Sequence, residues 1–274
     1  MGKLVDGDDG LPVEEVGMWA KEKHTYLCRY IEISSATRKK YLGPEKGGAA
    51  YVDLFCGPGR SFIPESREWI DGGAVAAWKR SQAVGSPFTR IIVGDADPIR
   101  LSASVTRLRS LGAPVIALAG TANDVALKAI QKSPVYGLNF AFLDPYNLEA
   151  LDFKIIEMLS RIKRMDILVH VSAMDLQRNL GTNIFGEQSA FDAFAPGWRD
   201  AVNLAQSQPS IRRDVFDYWR AIVAKLGVWP STEIKLITGS KNQPLYWLLL
   251  AARHELAHKF WATASNLNRQ RSLF

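Results

Sequence analysis

Ala50-Tyr51-Val52-Asp53-Leu54-Phe55-Cys56-Gly57-Pro58-Gly59-Arg60 decides the fold. Its first half is a continuous apolar run of strand length, separated from what precedes it by Pro44 and the Gly47-Gly48 pair. A strand apolar on both faces belongs inside a parallel sheet that helices cover. The second half closes on an acid and sets two glycines around a proline. Backbone without side chains takes positive φ and approaches a ligand closely, and open α/β sheets bind their ligands at such carboxyl ends. The turn suits a nucleotide-like guest; a plain glycine turn is the other reading. The dinucleotide fingerprint G-x-G-x-x-G fails, because Phe62 holds its third position and Pro64 delays a following helix, which argues against a nicotinamide-dependent dehydrogenase.

Outward from this strand, further strands are expected over 90–94, 115–118, 139–143 and 166–171, with helical patterns between them. The clearest helix covers 149–164, where Leu151, Ile155, Leu159 and Ile162 share one face. Ahead of the quoted strand, Val16, Trp19, Leu27, Tyr30 and Ile31 predict one long amphipathic helix between residues 12 and 43. Alternating strands and helices predict a mainly parallel sheet covered on both faces. The rhythm breaks after 174. Residues 175–228 read as a helical insertion, and 232–238 with 245–251 as an antiparallel hairpin that finishes a seven-stranded sheet. One α/β domain is expected over 1–274: a helical segment 1–45, a ligand-binding core 46–174, the insertion 175–228, and a hairpin with a final helix over 229–274.

Composition narrows the classes. With 47% apolar and 23% charged residues the chain is not a disordered one. Its longest apolar run, 246–252, is far short of the ~18–20 residues that cross a bilayer. Asp6, Asp8, Asp9, Glu14 and Glu15 stand where a secretory leader needs a basic start and an apolar stretch. Cys28 and Cys56 alone make no disulfide framework and no four-thiolate zinc site, so a cytoplasmic protein is expected. The four histidines include one i,i+4 pair without a third ligand nearby, and no metal site is expected. A net charge of +6 is compatible with a nucleic-acid partner. The runs Arg38-Lys39-Lys40, Arg161 to Arg164 and Arg212-Arg213 read as solvated faces unless the fold brings them onto one surface.

Four turns carry the candidate chemistry. Asp53, Phe55, Gly57 and Gly59, spaced D-x-F-x-G-x-G, resemble the first motif of class I S-adenosylmethionine methyltransferases. At the next strand end, Asp95 is placed to accept both ribose hydroxyls of such a cofactor; the other reading has Asp95 and Asp97 capping the helix at Pro98. Asp53 and Asp95 lie farther apart than the usual ~20 residues, so 60–72 is an insertion able to cover the cofactor. After the third strand Thr121 stands where methyltransferases often carry an acid, and Asn123 or Asp124 either bonds the adenine amino group or caps the following helix. Asp144-Pro145-Tyr146-Asn147 resembles the D/N-P-P-Y motif of amine-methylating enzymes with one proline absent. Methyl transfer from a sulfonium is an in-line displacement, so the amine must be held and aligned. In this resemblance Asp144 and the Pro145 carbonyl accept the amine protons, and Tyr146 stacks on an extruded base or another planar group.

Both motifs together, with Trp19 and Lys23 in the leading helix and a tail running from Leu245-Tyr246 through His254 to Lys259-Phe260-Trp261, make the chain similar to the three-Cys-motif partner (TcmP) family of methyltransferase-like proteins. That resemblance implies a Rossmann-like class I methyltransferase fold, S-adenosylmethionine as cofactor, and a radical-SAM-like protein carrying the three-Cys motif as companion. It leaves two functional readings. One is methylation of a nitrogen in a DNA or RNA base, with Asp144, Pro145 and Tyr146 at the reacting centre. The other, prompted by the missing proline and by Thr121, is a non-catalytic subunit that binds or presents substrate for the companion. Lys23, four residues from Trp19, and Arg178, just past the fifth strand, are candidate substrate contacts; a solvated lysine and a polar-loop arginine are the plainer readings.

Overall fold

The structure, a computed structural model, describes residues 2–186 and 189–266. Two short strands open the chain, β1 (Leu4–Asp6) and β2 (Pro12–Glu15), followed by α1 (Trp19–Ile33) and α2 (Ser35–Lys39). Then come β3 (Ala49–Asp53), β4 (Arg60–Ile63), β5 (Glu68–Asp71), α3 (Gly73–Ala83), β6 (Arg90–Asp95), α4 (Pro98–Ser110), β7 (Val115–Ala119), α5 (Ala122–Lys132) and β8 (Leu138–Leu143). After α6 (Phe153–Ser160) and β9 (Met165–Ser172) five helices follow: α7 (Ala173–Arg178), α8 (Leu180–Phe185), α9 (Ala190–Phe194), α10 (Trp198–Ala201) and α11 (Gln208–Lys225). The hairpin β10 (Trp229–Thr238) and β11 (Pro244–Ala252) and the helix α12 (Glu255–Ala264) complete the order.

Seven strands form one sheet in the order β10-β11-β9-β8-β3-β6-β7, in which β11 is antiparallel to both neighbours and the remaining pairs are parallel. From the central β3 the chain winds outward through β6 and β7, then returns to the other side for β8 and β9. This reversal opens a crevice at the carboxyl end of β3, the place where such sheets hold ligands. Side chains of β3 alternate between two cores. Ala50 and Val52 face α5, α6 and the insertion, while Ala49 and Tyr51 face α1, α3, α4 and α12. The insertion is packed rather than loose: Trp219 stacks between Phe194 and Phe216, and Phe216 on Trp247 of β11. Among the described residues no helix is long and apolar enough to cross a membrane.

Four expectations are corrected. The leading helix begins only at Trp19, because residues 12–15 pair as β2 with β1 on one side and β4 on the other and bury Val13. The 60–72 stretch is not a free cover; it is the hairpin β4–β5, which completes a second, four-stranded sheet, β1-β2-β4-β5. The helix expected over 149–164 shortens to α6, since Asp152 caps it through the Lys154 N–H and the preceding residues are held in a turn by Asn147 and Asp175. Arg38, in a run read as solvated, is buried against the ring of Phe88 and donates to the carbonyls of Ile31 and Ser86. The small sheet is fastened to the large one by the buried Arg107 of α4. Its guanidinium donates to both Asp9 carboxylate oxygens at 2.7 Å and to the carbonyls of Leu11, Pro12 and Pro58. Since Pro58 lies in the glycine turn, one side chain locks the amino-terminal hairpin over that turn.

Candidate active site

Above the carboxyl ends of β3, β6 and β8 lies a cavity of about 610 Å³, within the range of small-molecule sites. Gly57, Gly59, Asp95, Asn123, Asp144 and Tyr146 all line it, so the glycine turn and the acidic turn face one space. Gly57 and Gly59 have φ of +55° and +81°, a conformation that disfavours side chains. The Gly57 N–H donates to Asp95 Oδ2 at 2.9 Å, and Asp95 Oδ1 accepts the Asp97 N–H at 2.9 Å. Asp97, not Asp95, caps α4 through the N–H groups of Ile99 and Arg100. Asp95 thus ties two turns together at the cavity wall.

Asp53, at the end of β3, accepts from the Phe55 N–H at 3.1 Å and from the Tyr51 hydroxyl at 3.3 Å. Burial, reinforced by the charge of Asp144, raises its carboxyl to about 7. Because the folded value exceeds the unfolded one, its stabilising contribution is complete in acid and is lost as pH rises from about 4 through 7. Thermal melts of the free protein should therefore fall over this interval, and Asp53→Asn should flatten the fall; parallel profiles for the two proteins would refute the assignment.

At the adenine-side turn Asp124 is corrected. Thr121 caps α5, and Asp124 completes a capping box by accepting from the Thr121 N–H and hydroxyl, so its carboxylate serves the helix and lies outside the cavity lining. Asn123 stays on the cavity wall and donates to Asp152 at 2.7 Å. Arg178 is exposed at the end of α7 and does not line the cavity.

The acidic turn holds what the sequence did not disclose. Lys23 of α1, only 6% exposed, places Nζ 2.5 Å from Asp144 Oδ2, and His170 of β9, 3% exposed, places Nδ1 2.6 Å from Oδ1. Burial alone would raise the Asp144 carboxyl; the Lys23 ammonium and the His170 hydrogen bond outweigh it and hold it well below the usual carboxylate range. Both carboxylate oxygens therefore have a partner. His170 Nε2 is buried and has none among the described residues. The rings of Trp19 and Tyr246 meet edge to face beside this cluster, and Tyr246 packs perpendicular to His170 with centroids 3.8 Å apart. Tyr146 is 58% exposed at the rim. The missed residues His170, Tyr246 and Arg100, which pairs with Glu14 at 3.0 Å, have one local sign among them: a histidine inside the apolar run Ile167-Leu168-Val169-His170-Val171.

The basic runs do not converge here. Residues 38–40 precede β3 and residues 161–164 precede β9, so both lie toward the amino ends of parallel strands, opposite the cavity. Among the described residues, six Asp and Glu side chains line the cavity against one Lys and one Arg.

No protein-family model matches the sequence, and no curated protein does. Solved structures match in fold. Protein LPL1258 from Legionella pneumophila is 10% identical with a TM-score of 0.51, over 86% of this chain and 85% of that one. Cofactor-bound Rv0187 from MTB is 14% identical with a TM-score of 0.45, over 85% and 81%. The METTL16 MTase domain is 9% identical with a TM-score of 0.40, over 80% and 66%. With its mixed seven-stranded sheet and inserted antiparallel strand, the chain has a Rossmann-like class I methyltransferase fold.

Proposed function

We propose that the protein is an S-adenosylmethionine-dependent methyltransferase whose acceptor is a nitrogen of a nucleic-acid base, working with a three-Cys-motif partner in the cytoplasm. The observation that carries this reading is the single cavity shared by the glycine turn and the Asp144-Pro145-Tyr146 turn. The residues fit the cofactor. A Cβ at Gly57 would meet only Glu14 Oε2, at 3.7 Å, so the turn leaves its cavity side open. The excess of carboxylates in the lining favours a cation over a phosphate ester. Asp53, Phe55, Gly57, Gly59, Asp95 and Asn123 would hold the cofactor, which when bound supplies an electrophilic methyl on a sulfonium. Asp144, Pro145, Tyr146, Trp19 and Lys23 would frame the acceptor, with Tyr146 exposed enough to stack on a base turned out of its strand. Placement of two basic runs at the far end of the sheet supports a companion that brings the nucleic acid to the rim.

Equilibrium binding of radiolabelled S-adenosylmethionine tests the first half: one site is expected, lost in Asp95→Ala. Binding that survives both Asp95→Ala and Gly57→Leu rejects the cofactor assignment. The alternative of a non-catalytic subunit is favoured by one observation, the prior engagement of both Asp144 oxygens. It predicts cofactor binding and association with the three-Cys partner, but no label transferred to DNA, RNA or that partner.

A further inference from the structure

Methylation of an exocyclic amine in a D/N-P-P-Y site needs an acceptor oxygen on the acid to draw the amine protons aside and align the nitrogen. Here Lys23 and His170 already take one acceptor site on each oxygen of Asp144, which leaves an amine only the remaining lone pairs. What the cluster offers is a different group. Asp144 is ionised and accepts at His170 Nδ1, which places that nitrogen's proton between them and leaves a lone pair on Nε2. Nε2 is buried and, among the described residues, without a partner, on a side chain that lines the cavity, so an acceptor reaches it only where the packing around it gives way. A carboxylate fixing the tautomer of a neutral imidazole whose other nitrogen is free is the arrangement of a general base. Lys23 keeps the carboxylate ionised, so an imidazolium formed at His170 would stand against a fixed negative charge.

A base is needed only when the attacking atom must lose its proton to gain a lone pair. The amide-like ring N–H of a base, with its electrons delocalised into the neighbouring carbonyls, is such an atom; an exocyclic amino group is not. We propose, resting on the methyltransferase reading above, that the acceptor is a ring lactam nitrogen, purine N1–H or pyrimidine N3–H, and that His170 Nε2 takes its proton. The N–H electrons become the attacking pair as the proton passes to Nε2. The new nitrogen–carbon bond forms while the carbon–sulfur bond of the sulfonium breaks, its electron pair staying on the sulfur. Trp19, Tyr246 and Tyr146 provide aromatic surface for a planar ring at the same end of the cavity.

The groups facing His170 are Asp144 from the turn after β8, Lys23 from α1, Asp175 from α7 and Tyr246 from β11. Burial pulls the imidazole below the ordinary histidine range despite the Asp144 hydrogen bond, so turnover should rise with pH on a limb lying below that range and then level off. The full chain, with S-adenosylmethionine and mixed-sequence RNA and DNA oligomers, should yield N1-methylguanine or an N3-methylpyrimidine on digestion and mass spectrometry. His170→Gln keeps a donor for Asp144 but is no base, and should lower that yield roughly 100-fold or more with cofactor binding unchanged. Nitrogen-15 NMR of the labelled free protein should show His170 protonated on Nδ1 and bare on Nε2, a readout that stands even where His170→Gln fails to fold. N6-methyladenine or N4-methylcytosine as product, a His170→Gln yield within a few-fold of the parent, or an Nε2–H donated to the Tyr246 ring each overturns the proposal while leaving the methyltransferase reading intact. A cofactor-binding protein that labels no nucleic acid even with the three-Cys partner present overturns both.

Discussion

Asp144→Asn will destabilise the protein by about 3 kcal/mol or more, the cost of leaving a buried charge without its partner. An amide has one accepting oxygen and one donating nitrogen. Lys23 Nζ stands 2.5 Å from one carboxylate oxygen and His170 Nδ1 2.6 Å from the other, so an asparagine either sets its N–H group against the Lys23 ammonium or forces His170 into its other tautomer, and in both cases Lys23 loses its counter-charge. Lys23 has little water to turn to, its side chain being 7% exposed, whereas the 19% exposure of Asp144 keeps the expected loss toward the lower end of the range for buried pairs. Lys23→Met in the same chain removes the stranded ammonium and should recover much of the loss. A double-mutant cycle by urea melts at neutral pH should thus give a coupling of about 1–3 kcal/mol. The acid limb follows. The folded carboxyl lies below its unfolded value, so its contribution is present above about 4 and fades as pH falls below it; Asp144→Asn should lose that dependence. A single-mutant loss under about 1 kcal/mol would mean that water separates the pair in solution.

Why this cluster escaped the sequence while the glycine turn did not is a matter of distance along the chain. Residues 50–60 carry their own instructions: an apolar run ends, an acid follows, and two glycines permit positive φ, all within one turn of backbone. The β10–β11 hairpin is equally local. Lys23 and Asp144, by contrast, are 121 positions apart, and Asp144 and His170 are 26 apart across neighbouring strands. Nothing in the spacing of either residue announces a partner that only the sheet order brings near. The first two strands were hidden for a related reason: β2 is stabilised by a parallel pairing with β4, about fifty residues on, so its four residues read as the start of the helix behind them. Asp124 failed differently. Thr121-Ala122-Asn123-Asp124 spells a capping box as legibly as an adenine contact, and an acid at a helix start meets the unpaired N–H groups before any ligand arrives.

Gly57→Leu and Gly59→Ala should separate binding from folding, and their contrast is the most direct probe of the glycine turn. Both residues sit at positive φ, where any side chain costs roughly 1–2 kcal/mol. Beyond that shared strain they differ. A Cβ on Gly59 would lie 3.1 Å from the Ser104 Cα and Oγ and 3.3 Å from Val75 Cγ2, so helices α3 and α4 would have to shift, adding about 1–3 kcal/mol of overpacking. A Cβ on Gly57 finds open space, and a leucine there projects into the cavity rather than into the core. Gly57→Leu should therefore lose only that shared strain in stability but weaken S-adenosylmethionine binding by roughly 100-fold or more, equivalent to about 2.7 kcal/mol. Gly59→Ala should lose stability first, with weaker binding as a consequence of the displaced turn. Equal destabilisation by the two, with binding lost in proportion to folded protein, would show that the space beside Gly57 closes in solution. That outcome would remove the room the cofactor needs and return the turn to a purely structural role.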